Sequence, residues 1–145
     1  MRLWHIDLFE YLPDRQFRGQ LRELLVVMRN WRDKGRTNSL IINPVMNYDK
    51  SELYTYFIRY DNEYYKRYNK HIRDAYKQEF IDFCGSVNTS ETVFKNWHNN
   101  EYLKICLTNL YEKYHFGIGR SKLTEEEWNI LLTGYRLLTG EDFQI

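Results

Sequence analysis

Residues 14–33 read DRQFRGQLRELLVVMRNWRD, and their periodicity decides the fold. Phe17, Leu21, Leu24, Met28 and Trp31 fall at offsets 0, 4, 7, 11 and 14, one stripe of an α-helix, and that stripe is core. Pro13 and Asp14 open the helix and Gly35 lies just past its end. The face away from the stripe carries Arg15, Arg18, Arg22 and Arg29 at offsets 0, 3, 7 and 14, a column of guanidinium groups. Glu23 sits about 100° round the axis from Arg22. Gly19 lies one turn before Glu23. Within a helix it is disfavoured by roughly 1 kcal/mol against alanine, and it leaves space beside the carboxylate for something to approach closely. On helix statistics alone, such a face is a solvated basic surface with Glu23 as an ordinary member.

Beyond Gly35 a loop runs to about Asp49 with Asn38, Asn43, Pro44 and Asn47 in it, and Leu40-Ile41-Ile42 as a short extended or packed segment. Asp49 and Glu52 have capping-box spacing, with Ser51 as an alternative cap. Leu53, Phe57, Tyr60, Tyr64, Tyr68 and Ile72 recur at three and four, and the period continues through Tyr76 and Phe80 to about Phe83. This is one long helix or two with a bend near Asn69, ended by Gly85. Residues 85–99 form a polar connection containing Phe94 and Trp97. A third helix opens at Asn100 or Glu101, carries Tyr102, Leu103, Cys106, Leu107, Leu110 and Tyr111, and stops near Gly117-Ile118-Gly119. Thr124 and Glu127 form a second capping-box pattern before Trp128, Leu131, Leu132, Tyr135 and Leu138, and Gly140 ends that helix. No repeat or low-complexity tract interrupts. The expectation is one compact all-α domain over residues 1–145, with about four main helices.

A chain of 145 residues buries enough core to need no staples. Aromatics make up 17% of it, with 13 tyrosines; most belong to the core, and some are able to stack on bases. Cys84 and Cys106 suit reduced, buried thiols rather than a disulfide framework. His5, His71, His98 and His115 lack metal-ligand spacing, so no metal and no cofactor is expected. Glycine-rich phosphate loops and Gly-x-Ser-x-Gly are absent. The opening MRLWHIDLFEYLP carries His5, Asp7 and Glu10 where a signal peptide needs an apolar run. With no bilayer-length apolar stretch either, the expectation is a cytoplasmic monomer with no membrane or obligate protein partner. Net charge is only +1, but residues 1–36 hold eight Arg and Lys against five Asp and Glu, while residues 120–145 hold three against five. A basic end on a near-neutral protein suits a local phosphate contact and suits a soluble surface almost as well.

A resemblance adds to this. Met1-Arg2-Leu3-Trp4-His5, then Tyr11-Leu12-Pro13, then Gly19-Gln20-Leu21-Arg22-Glu23-Leu24 resemble the N-terminal region of the pyrimidine-dimer DNA glycosylase family, the phage endonuclease V type with its bacterial relatives. Ile42-Asn43-Pro44 is similar to the segment after that family's first helix, and residues 53–72 to its aromatic second helix. The resemblance covers residues 1 to about 70. It implies an endonuclease V-like helical fold and damaged double-stranded DNA as partner. It also implies a nucleophile that is the α-amine of the first residue, here Met1, with Glu23 as its acid/base and electrostatic partner. Arg22 falls beside that glutamate and Arg2 beside the amine. Arg22 and Arg2 are expected to position DNA, with Arg15 and Arg18 as further phosphate contacts; His5 either lines the site or makes a structural hydrogen bond, and Lys95, Trp97 and His98 either touch DNA or cap the core. No metal is implied. An α-amine has a reference pKa of about 8, so much of it is neutral near pH 7 and able to attack C1′ of a sugar; a carboxylate nearby stabilises the cationic sugar.

The sequence departs from the phage pattern at several places. Arg2 follows Met1 where the phage enzyme has a small residue; methionine is normally retained before a large residue, which makes the Met1 amine the expected nucleophile, and if Met1 is removed Arg2 supplies the amine. Val26 stands where the phage enzyme has an arginine and Gln16 where it has a histidine. In place of its aromatic-basic tail the last residues here are acidic, with Gly140-Glu141-Asp142. The alternative to an enzyme is a non-catalytic nucleic-acid or protein-binding module that kept the fold.

Overall fold

Helix α1 runs Asp14–Lys34 behind Pro13, whose fixed φ sets the chain up for the first turn, and Gly35 closes it at φ 66 with its N–H on the Trp31 carbonyl. The computed structural model to which it belongs describes residues 2–37, 39–119 and 122–145; Met1 and Asn38 lie outside them. The expected stripe is inside, with Phe17, Leu24 and Met28 fully buried and Leu21 and Trp31 half-buried at its edges. It is broader than the spacing implied, because Gln20, Leu25 and Val27 are buried too.

Helix α2 spans Lys50–Tyr68, capped by Asp49, whose carboxylate accepts from Ser51 N. Glu52 does not complete the capping box. Its carboxylate instead accepts the Phe94 N–H at 2.8 Å. Tyr54, Tyr56, Phe57 and Tyr60 are all buried, so this helix is wrapped by the protein on several sides. Asn69 adopts the left-handed conformation, φ 55, and ends it. Asp61 then accepts the Ile72 N–H and meets His71, which fixes the turn. The long apolar period is therefore two helices, and α3 follows at Asp74–Cys84, ended by Gly85 at φ 78. Five main helices result rather than about four, because one left-handed asparagine divides a continuous pattern.

The 85–99 connection is anchored inside. Phe94 is fully buried with φ 53. A left-handed conformation costs a non-glycine residue about 1–2 kcal/mol, and burying a phenylalanine ring returns roughly 1.5–3 kcal/mol. Helix α4 spans Asn100–His115 with Asn99 as its cap, and α5 spans Glu125–Thr139 behind the Thr124–Glu127 capping box. These two pack on each other, while α3 packs on α1 and α2. Tyr11 lies flat on Gly134 of α5, where even a methyl group would stand 2.5 Å from the ring. One hydrophobic cluster draws on all five helices. Among the described residues there is no strand, no helix long and apolar enough to cross a membrane, and no cluster able to hold a metal ion.

Candidate active site

The stretch from Arg2 to His5 has no regular structure, yet Leu3, Trp4 and His5 are buried. Buried backbone outside helices and sheets must find its hydrogen bonds among side chains. Here it finds them in several elements at once. Glu23 Oε2 accepts the Arg2 N–H at 3.2 Å, and Gln20 Nε2 donates to the Arg2 carbonyl at 3.0 Å. Gln20 Oε1 accepts the Trp4 N–H at 2.7 Å. The Tyr56 hydroxyl of α2 donates to the Trp4 carbonyl at 2.6 Å, and the Tyr102 hydroxyl of α4 to the Leu3 carbonyl at 2.6 Å. His98 Nδ1 accepts the Ile6 N–H at 3.1 Å. The first residues are thus threaded between α1, α2 and α4 and delivered to the Glu23 carboxylate.

Glu23 is half-buried. Burial pushes its carboxyl above the ordinary glutamate range, against the Arg2 N–H, the Gln20 amide and the Lys113 charge, which favour the ionised form. Gln20 Nε2 donates to Glu23 Oε2 at 3.2 Å. Fully buried Gln20 therefore ties the carboxylate and the threaded backbone into one network. A carboxylate held by two donors on one oxygen is pre-aimed, with its other oxygen available to a substrate.

The arginine column is largely engaged within the protein. Arg29 makes a two-pronged pair with Glu79 of α3, at 2.9 and 2.7 Å. Arg18 pairs with Asp14 at 3.0 Å, meets the Tyr68 hydroxyl at 3.2 Å and lies 4.6 Å over that ring. Tyr68 also hydrogen-bonds Asp14. Arg22 is exposed beside Glu23 and has no hydrogen-bonding or ion-pair partner among the described residues. Arg15 is exposed at the start of α1. Arg2 is half-buried, and its charge acts on Tyr102 and Cys106 of α4. Gly19 is exposed, and an added Cβ would meet nothing.

His5 requires a correction. It is 3% exposed, stacked 5.2 Å from His98 and 6.3 Å from Tyr102, and its Nδ1 accepts the Asp7 N–H. A ring enclosed in that way is packing for the threaded segment, not a surface for DNA. Trp97 and His98 likewise cap the core: Trp97 is half-buried, His98 buried. Two residues escaped the sequence reading. Gln20 had a usable signal, since it lies on the apolar stripe, three past Phe17 and four before Leu24, and a polar residue there must find partners. Lys113 had none, because only folding brings α4 near Glu23.

The fold is thus all-helical and brings its own N-terminal backbone to a half-buried carboxylate, with an exposed arginine that has no partner among the described residues next to it. A family model described as pyrimidine dimer DNA glycosylase matches residues 1–76, more than half the chain, and the chain belongs to that family. No curated protein and no solved structure matches it.

Proposed function

We propose that this glycosylase acts on pyrimidine dimers or another base lesion in duplex DNA and cleaves the strand through an imine formed with the α-amine of Met1. The observation that carries the reading is the hydrogen bond from Arg2 N to Glu23 Oε2 at 3.2 Å. Covalent geometry keeps the α-nitrogen within about 3.7 Å of the Arg2 nitrogen, hence within about 7 Å of the Glu23 oxygen whatever conformation Met1 takes. A sugar carbon fits between two groups so tethered.

The neutral amine attacks C1′ of the damaged nucleotide. The C1′–N bond breaks and its electron pair leaves with the base, which takes a proton. The sugar ring opens as C1′ becomes an iminium carbon bonded to the α-nitrogen. Loss of a 2′ proton then expels the 3′ phosphate, and water releases the chain end. Glu23, ionised, stabilises the positive charge at C1′ and passes the protons in turn. Arg22 is placed to hold a phosphate beside the sugar, with Arg15 and Arg18 as outer contacts and Arg2 steadying the threaded end.

Borohydride reduction on abasic-site duplex tests this. The expected outcome is a covalent adduct that disappears when the N-terminus is blocked, and a fall in turnover of roughly 100- to 10,000-fold in Glu23→Gln. An adduct indifferent to the N-terminal block would overturn the assignment of the amine. A second reading, a binding module without chemistry, is favoured by the engagement of Arg18 and Arg29 in internal ion pairs. Tight DNA binding with no adduct would select it.

A further inference from the structure

Of the eight phenylalanines, Phe116 alone is exposed, at 70%, and Ile118 two residues on is 88% exposed. Both follow the end of α4, in a connection folded tightly onto that end. Phe116 N–H bonds the Glu112 carbonyl at 2.8 Å, and Gly117 N–H the Lys113 carbonyl at 3.1 Å. A Cβ on Gly117 would stand 2.0 Å from that carbonyl oxygen and 3.1 Å from Lys122 Cα. The apolar tips are thus presented by a close-packed turn.

Their position matters more than their exposure. Phe116 shares a small hollow with Asn109 and Lys113, and the Lys113 charge is felt at the Glu23 carboxylate. On the other side, Gly119 and Lys122 line a cleft together with Arg15 and Gln16 of α1. The connection therefore lies between the α4 end, whose Lys113 charge reaches Glu23, and the start of α1.

We propose that Phe116 and Ile118 form an apolar wedge that enters the damaged duplex at the base step beside the sugar presented to Glu23, with Lys113 and Lys122 on the flanking phosphates. This rests on the function proposed above. A stacked duplex hides C1′ from an amine, and apolar side chains that unstack a step are a general means of exposing it. Apolar tips between two ammonium groups match a base step between two phosphates. An apolar protein partner would account for the tips but not for the lysines.

The test uses the full chain, a duplex with one abasic site flanked by 2-aminopurine, and the same abasic strand alone. With the native chain, binding should raise 2-aminopurine fluorescence. In the double variant Phe116→Ser, Ile118→Ser that rise should vanish, and single-turnover nicking of the duplex should fall roughly ten-fold or more. Nicking of the single strand, already open, should stay within about two-fold, and Phe116→Leu should restore most duplex activity. Lys113→Ala and Lys122→Ala should each lower the salt slope of binding by about one. Undiminished duplex nicking with undiminished fluorescence in the serine variant overturns the wedge, and so does an equal loss on both substrates. A native chain that nicks and traps neither substrate overturns the parent reading instead; the fluorescence rise and its loss in the serine variant then still decide the wedge. An unchanged rise there, with a newly monodisperse protein in place of an oligomer, would assign the tips to a protein contact.

Discussion

The two halves of the molecule hold the same threaded segment by different means. From residues 1–76, the family-matched half, the hold is mostly amide and carboxylate: Gln20 and Glu23 serve Arg2 and Trp4, and the Tyr56 hydroxyl adds one bond to the Trp4 carbonyl. From the half beyond, it is aromatic: Tyr102 reaches the Leu3 carbonyl, His98 receives the Ile6 N–H, and the rings of His5, His98 and Tyr102 stack in a row. The difference teaches that the chemistry-bearing half is not self-sufficient. Its first described residues are held by one half and roofed by the other.

The largest effect expected from breaking this division is on folding itself. A fragment ending at Gly85 loses the partners of Leu3 and Ile6 and the Gly134 surface under Tyr11. It should show no cooperative melting transition by circular dichroism. A fragment that melted cooperatively and formed the borohydride adduct would reduce the second half to a cover.

Next in size are single changes on either side of the segment. Gln20→Leu leaves the Trp4 N–H and the Arg2 carbonyl without their partners and should cost about 2–4 kcal/mol in denaturant unfolding. Tyr102→Phe removes one hydroxyl from the Leu3 carbonyl and should cost about 1–2 kcal/mol. Equal costs would mean that the polar side carries no more of the hold than the aromatic one.

The halves should also separate by pH. Burial lowers His98 well below its ordinary 6.5, and His5 in the same direction. His98 accepts a backbone N–H at Nδ1, so its neutral ring carries the proton on Nε2, which is buried without a partner. Both rings stay neutral in the fold and gain protons on unfolding, so stability is lost as pH falls below about 6.5. Glu23 has the opposite sign: raised by burial above 4.5, it contributes stability that is lost as pH rises through its folded value. Melting temperatures between pH 8 and 5 should therefore fall with acid, and His98→Asn, which keeps an acceptor for Ile6, should flatten the slope. A slope unchanged by that variant would place the acid sensitivity elsewhere.

How far the sequence reached follows the same division. Helix starts and stops are local chemistry, so Gly35, Gly85, the Thr124–Glu127 box and Gly140 were legible as boundaries, while Asn69 was legible only as a bend that left one helix or two open. Periodicity alone left Glu23 and Arg22 on a solvated face, and only the resemblance carried by the surrounding motif singled them out. Glu52 was misassigned to its own cap because its partner, Phe94, lies 42 residues away. The guanidinium column looked open because Glu79 lies on a different helix, 50 residues from Arg29. For His5 a structural role stood beside a place in the site, and nothing local told that Tyr102 and His98 close over it. Local rules read what a residue contributes along its own helix, and they are silent on what a distant helix brings to it.

The smallest expected effect separates folding from function on α1 itself. Gly19 sits inside a helix, where alanine is favoured by roughly 1 kcal/mol, and nothing among the described residues occupies the space its side chain would take. Internal packing therefore gives no reason for glycine, and Gly19→Ala should stabilise the fold by about 0.5–1 kcal/mol. The space above it lies one turn from Glu23, on the side where a sugar-phosphate backbone approaches in the proposed reaction. The same variant should then nick abasic duplex more slowly, with weaker binding and a normal rate once bound DNA is saturating. A more stable protein with slower nicking would mark that space as belonging to DNA. A more stable protein with unchanged nicking would leave Gly19 without a role on either side and would move the DNA path away from α1 toward the α4 end.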